Sequence, residues 1–268
     1  MTASPCESPF ADRVVIVLAG RRSGSTWLSE LLLSHSEVAG VSVVDKHGHL
    51  EPHESAIFGA VSDLWLARAR TDGEGISALV GDEQVVIEIR RFCDRLLARA
   101  RDAVSPQATW FVEKTPDNVN RVPLLAETYP DAWYIHLVRD GRDVARSFAV
   151  APFGPDDVGT TAAVWATDYE RVVANAWRLP RFREIRYESL VADPVGAVTA
   201  LFEWVGLEVD DALLGRLRDR SGRVVARFGE TGPIGEGKWR LLSDAELDRI
   251  YTVAGDRLAE LGYLRQSP

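Results

Sequence analysis

At 268 residues, with 46% hydrophobic and 26% charged residues, the chain can build one or two domains with a sizeable core, which excludes general disorder. A formal net charge of -9 argues against nonspecific attachment to nucleic acid or to an anionic membrane surface. Two cysteines, Cys6 and Cys93, can form neither a disulfide framework nor a metal centre. The opening Met1 to Glu7 lacks the basic and apolar regions of a secretory signal. The longest apolar runs, such as Val14 to Ala19, fall far below the roughly 20 residues a bilayer requires. We therefore expect a soluble, cytoplasmic protein with one domain over 1–268 and a loose tail over 1–12. Among 31 basic residues only Lys46, Lys114 and Lys238 are lysine, which fits an arginine-favouring codon bias and singles out each lysine for inspection.

Val14 to Leu18 is a wholly apolar, β-branched run and predicts a strand covered on both faces. A Gly/Ser-rich turn follows, then a helix carrying Leu28, Leu31, Leu32 and Leu33. Val41 to Val44 predicts a second strand, and 54–70 and 82–103 predict helices. In the longer of these, Val86, Ile89, Phe92, Leu96 and Leu97 make the expected apolar stripe. Thr109 to Val112 reads as a strand ending at Glu113-Lys114-Thr115-Pro116. A helix over 119–128 precedes the strand Trp133 to Val138. Helices over 141–150 and 160–178, a strand from Phe182 to Tyr187, and helices near 195–205, 210–219 and 243–261 complete the pattern. Strands alternating with helices predict an α/β fold in three layers, a central, mainly parallel sheet with helices on both faces. Ligands of such sheets sit at the carboxyl ends of the strands.

Two loops fall at such ends. In Gly20-Arg21-Arg22-Ser23-Gly24-Ser25-Thr26-Trp27, a small-residue turn enters a helix, the geometry that turns backbone N–H groups toward an anion. Gly20 and Gly24 stand one residue too close for a Walker A loop, and its lysine is missing. The plain alternative is a capped strand-to-helix turn. In Arg139-Asp140-Gly141-Arg142-Asp143-Val144-Ala145-Arg146-Ser147, Arg139 can fork onto a phosphate, and Ser147 follows eight residues on, about two helical turns, so both can face one side. The plain alternative here is a solvated helix start with i,i+4 pairs.

Together these residues resemble the sulfotransferase family that uses 3′-phosphoadenosine 5′-phosphosulfate (PAPS) and releases 3′-phosphoadenosine 5′-phosphate (PAP). Residues Arg22 to Trp27 resemble its 5′-phosphosulfate loop, and Arg139 with Ser147 resembles its 3′-phosphate site at the family's own spacing. Arg186-Tyr187-Glu188-Ser189-Leu190 is similar to the segment whose tyrosine lies by the adenine, and Gly235 to Arg240, with Lys238 and Trp239, resembles the closing segment near the cofactor.

The resemblance implies a P-loop-like fold and in-line sulfuryl transfer to a hydroxyl of a small-molecule, glycan or lipid acceptor, without a metal. It implies that Arg21, Arg22 and the N–H groups of Ser23, Gly24, Ser25 and Thr26 hold the phosphosulfate, that Trp27 stacks on adenine, and that Lys114 contacts the leaving oxygen. A general base is also needed. Many members place a histidine two residues after the lysine, where this chain has Pro116. Other branches use a glutamate after the first helix. Glu51 of Glu51-Pro52 is therefore ranked first, His53 second and His49 third. Arg21, Arg22, Lys114, Arg139, Arg142 and Arg146 are expected to form a basic pocket in an acidic surface. The family's further C-terminal 3′-phosphate contact falls at Thr231-Gly232-Pro233, leaving Lys238, Arg240 and Arg227 as substitutes. Residues 45–105 and 150–170 are expected to build the acceptor pocket, with Trp65, Phe148, Phe153 and Trp165 as possible lining. The composition suits a GC-rich bacterium and a tailoring role in secondary metabolism. Two alternatives stay open: a P-loop-type kinase, and a nucleotide-binding module that has lost catalysis.

Overall fold

The computed structural model describes residues 8–10, 12–44, 50–67, 77–151, 157–221 and 236–265. In chain order the elements are β1 (Val14–Leu18), α1 (Ser25–Leu32), β2 (Val38–Gly40), β3 (Ser42–Val44), β4 (Leu50–Pro52), α2 (Ile57–Ala60), α3 (Ser62–Ala67), α4 (Ser77–Val80) and α5 (Asp82–Val104). They continue with β5 (Trp110–Lys114), α6 (Val122–Thr128), β6 (Trp133–Val138), α7 (Gly141–Ala149), α8 (Val158–Asn175), β7 (Phe182–Arg186), α9 (Tyr187–Ala192), α10 (Pro194–Val205), α11 (Asp211–Ser221) and α12 (Asp244–Glu260). Three short 3-10 turns, Pro116–Asn120, Ala176–Arg178 and Lys238–Leu241, stand among them.

The main sheet has the order β2-β5-β1-β6-β7, and its central pairs, β2 with β5, β5 with β1 and β1 with β6, are parallel. Helices surround this sheet, as the α/β expectation requires. All five residues of β1 are buried, which only a strand covered on both faces allows. From β1 the chain passes through α1 to β2 on one side, whereas β6 leads to β7 on the other. The adjacent strands β1 and β6 therefore mark the topological switch point, where open α/β sheets bind ligands.

Three expectations on strands and helices are corrected. The sheet strand after α1 is Val38–Gly40, not 41–44; Val38 and Ala39 are buried, while Val43 and Val44 are exposed. Ser42–Val44 instead pairs antiparallel with Leu50–Pro52 in a separate two-stranded ribbon. A Cβ at Gly40 would lie 2.9 Å from the Val112 carbonyl oxygen, so the edge strand needs a glycine that β-propensity disfavours. On α5 the buried stripe is Val85, Ile89, Cys93 and Leu97 at strict i,i+4 spacing, and Phe92 and Leu96 face solvent. The helix expected over 54–70 is broken at Val61 into α2 and α3.

The chain divides into two compact units: residues 1–18, 26–136 and 172–183, and residues 19–25, 137–171 and 184–268. The first holds the sheet's central strands and a core of Val14, Ile16, Leu18, Ile89, Phe111, Leu125 and Tyr134. Phe10, from the expected loose tail, is buried in that core. In the second unit α7, α8 and α12 pack Val144, Ala162, Trp165, Trp239, Ile250 and Leu258 together.

Candidate active site

In the second unit the two predicted loops meet. Arg22 adopts a left-handed φ of 67°, which costs a non-glycine residue about 1–2 kcal/mol. Two contacts hold it there. Its Nε donates to Ser147 Oγ at 2.9 Å, and its carbonyl oxygen accepts from Arg139 Nη1 at 3.0 Å. Gly24 has φ 92°, and a Cβ on it would overlap the Tyr187 ring, so only glycine fits both the conformation and the space. Positive φ at 22 and 24 is the kind of backbone from which anion-binding nests are made. Ser23 and Ser25 are buried beside them, and Arg21 is exposed.

Arg139 leaves the end of β6 with 7% exposure. Its guanidinium carbon lies 4.5 Å from the Tyr187 ring centroid, and its Nη2 lies 3.7 Å from Asp143 Oδ2. The i,i+4 pair of the plain reading thus exists, but buried rather than solvated. Asp143, fully buried, also accepts from the backbone N–H groups of Gly237 and Trp239, each at 2.7 Å. That anchors the turn bearing the half-buried Lys238. Trp239 is itself buried, with the Arg142 and Arg240 guanidinium carbons 3.9 and 4.7 Å from its ring centroid.

Arg142 does not join the basic pocket. Asp140 Oδ2 accepts from its Nη2 at 2.6 Å, and Tyr251 Oη accepts from its Nη1 at 2.8 Å. Asp140 caps α7 by accepting from the Arg142 N–H, so a local acidic neighbour claims the arginine. Trp165 donates its indole N–H to the Arg139 carbonyl at 3.0 Å and closes over Gly141, which makes it core rather than acceptor lining. Phe148 packs partly buried against the same core.

Other predicted residues belong to the first unit. Lys114, at the end of β5, is 6% exposed; its Nζ donates to Thr26 Oγ1 at 3.4 Å and pairs with Glu54 Oε1 at 3.6 Å. Glu113 points to the opposite face of the strand. It is fully buried and accepts from Ser55 Oγ and Thr115 Oγ1, each at 2.6 Å, and from Asn118 Nδ2. Trp27 is 6% exposed and sits as a core residue, which leaves little ring for the expected stacking on adenine. Trp65 donates to Glu127 Oε2 at 3.1 Å and packs against the core.

Glu51, ranked first as base, lies exposed on the ribbon opposite Val43. His53 is exposed, and its backbone N–H donates to the Val41 carbonyl. The carboxylate that reaches Lys114 is Glu54, which sequence reasoning passed over. No spacing rule marks it; only the turn after β4 brings it to the lysine. His49, Phe153, Arg227 and Thr231-Gly232-Pro233 lie outside the described residues.

Burial pushes the Glu113 carboxyl above the ordinary 4.5, against the pull of its three hydrogen bonds and of Lys114. The folded state therefore binds this proton more tightly than the unfolded one. That stability is complete below pH 4.5 and is lost as pH rises through the raised value. Urea unfolding across this range should show stability falling with pH through this group, and Glu113→Gln should flatten that part of the curve. An unchanged slope would assign the titration elsewhere.

The glycine turn after β1 and the arginine at the end of β6, joined through Arg22, define an α/β protein with a tight backbone turn at its sheet's switch point. The model of the sulfotransferase family matches residues 15–211, and the chain belongs to that family. It is 28% identical over 142 residues to the omega-hydroxy-beta-dihydromenaquinone-9 sulfotransferase of Mycobacterium bovis, covering 48% of this chain and 35% of that protein. The chain thus spans about a third of the length of that curated relative. The sulfotransferase domain of the Synechococcus PCC 7002 olefin synthase has a TM-score of 0.60 at 21% identity, covering 95% of each chain. A mouse sulfotransferase complexed with PAP has a TM-score of 0.54 at 12% identity, covering 97% of this chain and 94% of that one. These likenesses carry the P-loop-like fold. Among the described residues no helix is long and apolar enough to cross a membrane, and no group of three or more His, Cys, Asp or Glu is placed to hold a metal ion.

Proposed function

We propose that the protein is a cytoplasmic PAPS-dependent sulfotransferase acting on a hydroxyl of a small-molecule, glycan or lipid acceptor. The observation that carries this reading is the Arg139–Arg22–Ser147 linkage, which puts the 5′ loop and the 3′-phosphate residues of the family pattern in direct contact. The donor set fits a bisphosphorylated nucleotide: a glycine turn without room for a side chain, two guanidinium groups suited to bidentate phosphate binding, and hydroxyls beside them. PAPS supplies the sulfuryl group, bound through oxygen to a phosphate that leaves with extra negative charge.

In the second unit Arg22 and the N–H groups of Ser23 to Ser25 hold the 5′ end. Arg139 and Ser147 hold the 3′-phosphate, Tyr187 lies by the base, and Lys238 adds charge from the anchored turn. In the first unit Thr26 and Lys114 stabilise the oxygen on which charge develops, the kind of preorganised contact that lowers a barrier. Glu54, half exposed and paired with Lys114, takes the acceptor's proton in place of Glu51. The named lipid-quinone relative makes a lipid alcohol one acceptor class within this reading.

Calorimetry with PAP, AMP and ATP tests the reading. PAP should bind more tightly than AMP, and Arg139→Ala should weaken PAP by about 1.5–3 kcal/mol, the worth of a charge-assisted phosphate contact. It should weaken AMP less than PAP, through the loosened Arg22 turn alone. Equal affinity for AMP and PAP would remove the 3′ site.

A further inference from the structure

We propose that Glu113 is a positioning residue that clamps the 54–56 turn from below and so sets Glu54 against Lys114. The inference deepens the reading of Glu54 as base and rests on it.

Glu54 lies between two short elements that cannot fix it. The three-residue β4 ends at Pro52, and α2 is four residues long with no side-chain cap. Its N-terminal flank, Ala56, stands in the left-handed region at φ 52° and ψ 9°, a conformation alanine does not hold unaided. What holds the turn is a set of hydrogen bonds leading to Glu113. Ser55 Oγ donates to Glu113 Oε1 at 2.6 Å and accepts from the Ile57 N–H at 3.2 Å. Thr115 Oγ1 donates to the same carboxyl oxygen at 2.6 Å and accepts from the Ala56 N–H at 3.3 Å. Each hydroxyl thus relays the carboxyl group to the backbone of the turn. Asn118 Nδ2 satisfies the second oxygen.

Strand alternation then completes the geometry. Glu113 and Lys114 are neighbours on β5 and point to opposite faces. One residue grips Ser55, and the next meets Glu54 at 3.6 Å. A buried carboxyl is costly to desolvate, and here all three of its side-chain partners serve the strand end and the turn. Glutamine would place an N–H2 group against a donor, either Asn118 or the two hydroxyls, and the clamp would loosen.

The test reads Lys114 directly, on the full chain, by its rate of acetylation with acetic anhydride followed by peptide mass spectrometry. Losing the carboxylate partner should speed Lys114 acetylation severalfold, since an opposite charge nearby favours the protonated, unreactive amine. Glu54→Gln sets the upper limit. Glu113→Gln and Ser55→Ala should each approach it, Ser55→Thr should restore the slow rate, and Ser55→Ala, which removes no charge, should add nothing on a Glu54→Gln background. Ser55→Ala keeps the test decisive if Glu113→Gln does not fold. Wild-type labelling rates in folded Glu113→Gln or Ser55→Ala would overturn the inference, as would additive effects. Failure of the base reading looks different: turnover would survive Glu54→Gln while the labelling pattern stood unchanged.

Discussion

Lys114→Met is expected to lower sulfuryl transfer by about 10²–10³-fold, the usual loss when one preorganised donor to a developing negative charge is removed. The side chain is 5% exposed and lies beside Thr26 Oγ1. Methionine can occupy the path of the aliphatic stem, so packing changes little. Glu54 keeps half its surface in solvent after losing its partner, so its charge stays hydrated and the cost to stability should be small. The diagnostic is a split: turnover with labelled PAPS collapses and affinity for PAP, whose 5′-phosphate carries that oxygen, falls with it, whereas the midpoint of thermal unfolding shifts only slightly. A variant retaining a tenth or more of wild-type turnover would take the leaving-oxygen role from Lys114.

Glu54→Gln is expected to cost about 10²–10⁴-fold in turnover, the range of a general base. Glutamine preserves shape and the contact with Lys114 but cannot accept a proton. Nucleotide affinity should change little, since glutamine keeps a polar contact for Lys114 and leaves Arg22, Arg139 and Ser147 untouched. Glu51→Gln is the informative comparison. Its side chain stands on the ribbon strand paired to Ser42–Val44, and an equal loss there would return the role to Glu51.

The elements most legible in the sequence are those whose patterns are driven by burial on both faces. Val14–Leu18 is a continuous apolar run and Trp133–Val138 is one broken only by the buried His136, and both strands stand where the runs predict them. The anion loops are legible because their chemistry demands unusual residues: glycine where a side chain would strike Tyr187, and arginine at a strand end. The sheet's edge strand Val38–Gly40 is not legible, since its glycine answers to the approach of the Val112 carbonyl, a neighbour known only after folding. Phe92 and Leu96 mislead for the opposite reason: apolar side chains are common on surfaces, and a stripe wide enough to include them can be drawn on almost any helix. Arg142 belongs to Asp140 two residues away, and Glu54 reaches Lys114 through a turn that no local propensity encodes. Residues marked by two-sided burial or by unusual chemistry at a strand end are readable; those whose partner is chosen only in the folded chain are not.

Asp143 binds together two stretches of chain that lie almost a hundred positions apart. Its carboxylate neutralises Arg139 on one flank while receiving the amides of Gly237 and Trp239 on the other. Editing the C-terminal turn is therefore never a purely local operation. A truncation before Gly237 would strip two donors from a water-shielded anion, drive that anion harder against the neighbouring guanidinium, and blunt the charge that Arg139 offers a phosphate. Shortened versions of this protein should lose discrimination for the 3′-phosphorylated nucleotide before they lose the sheet.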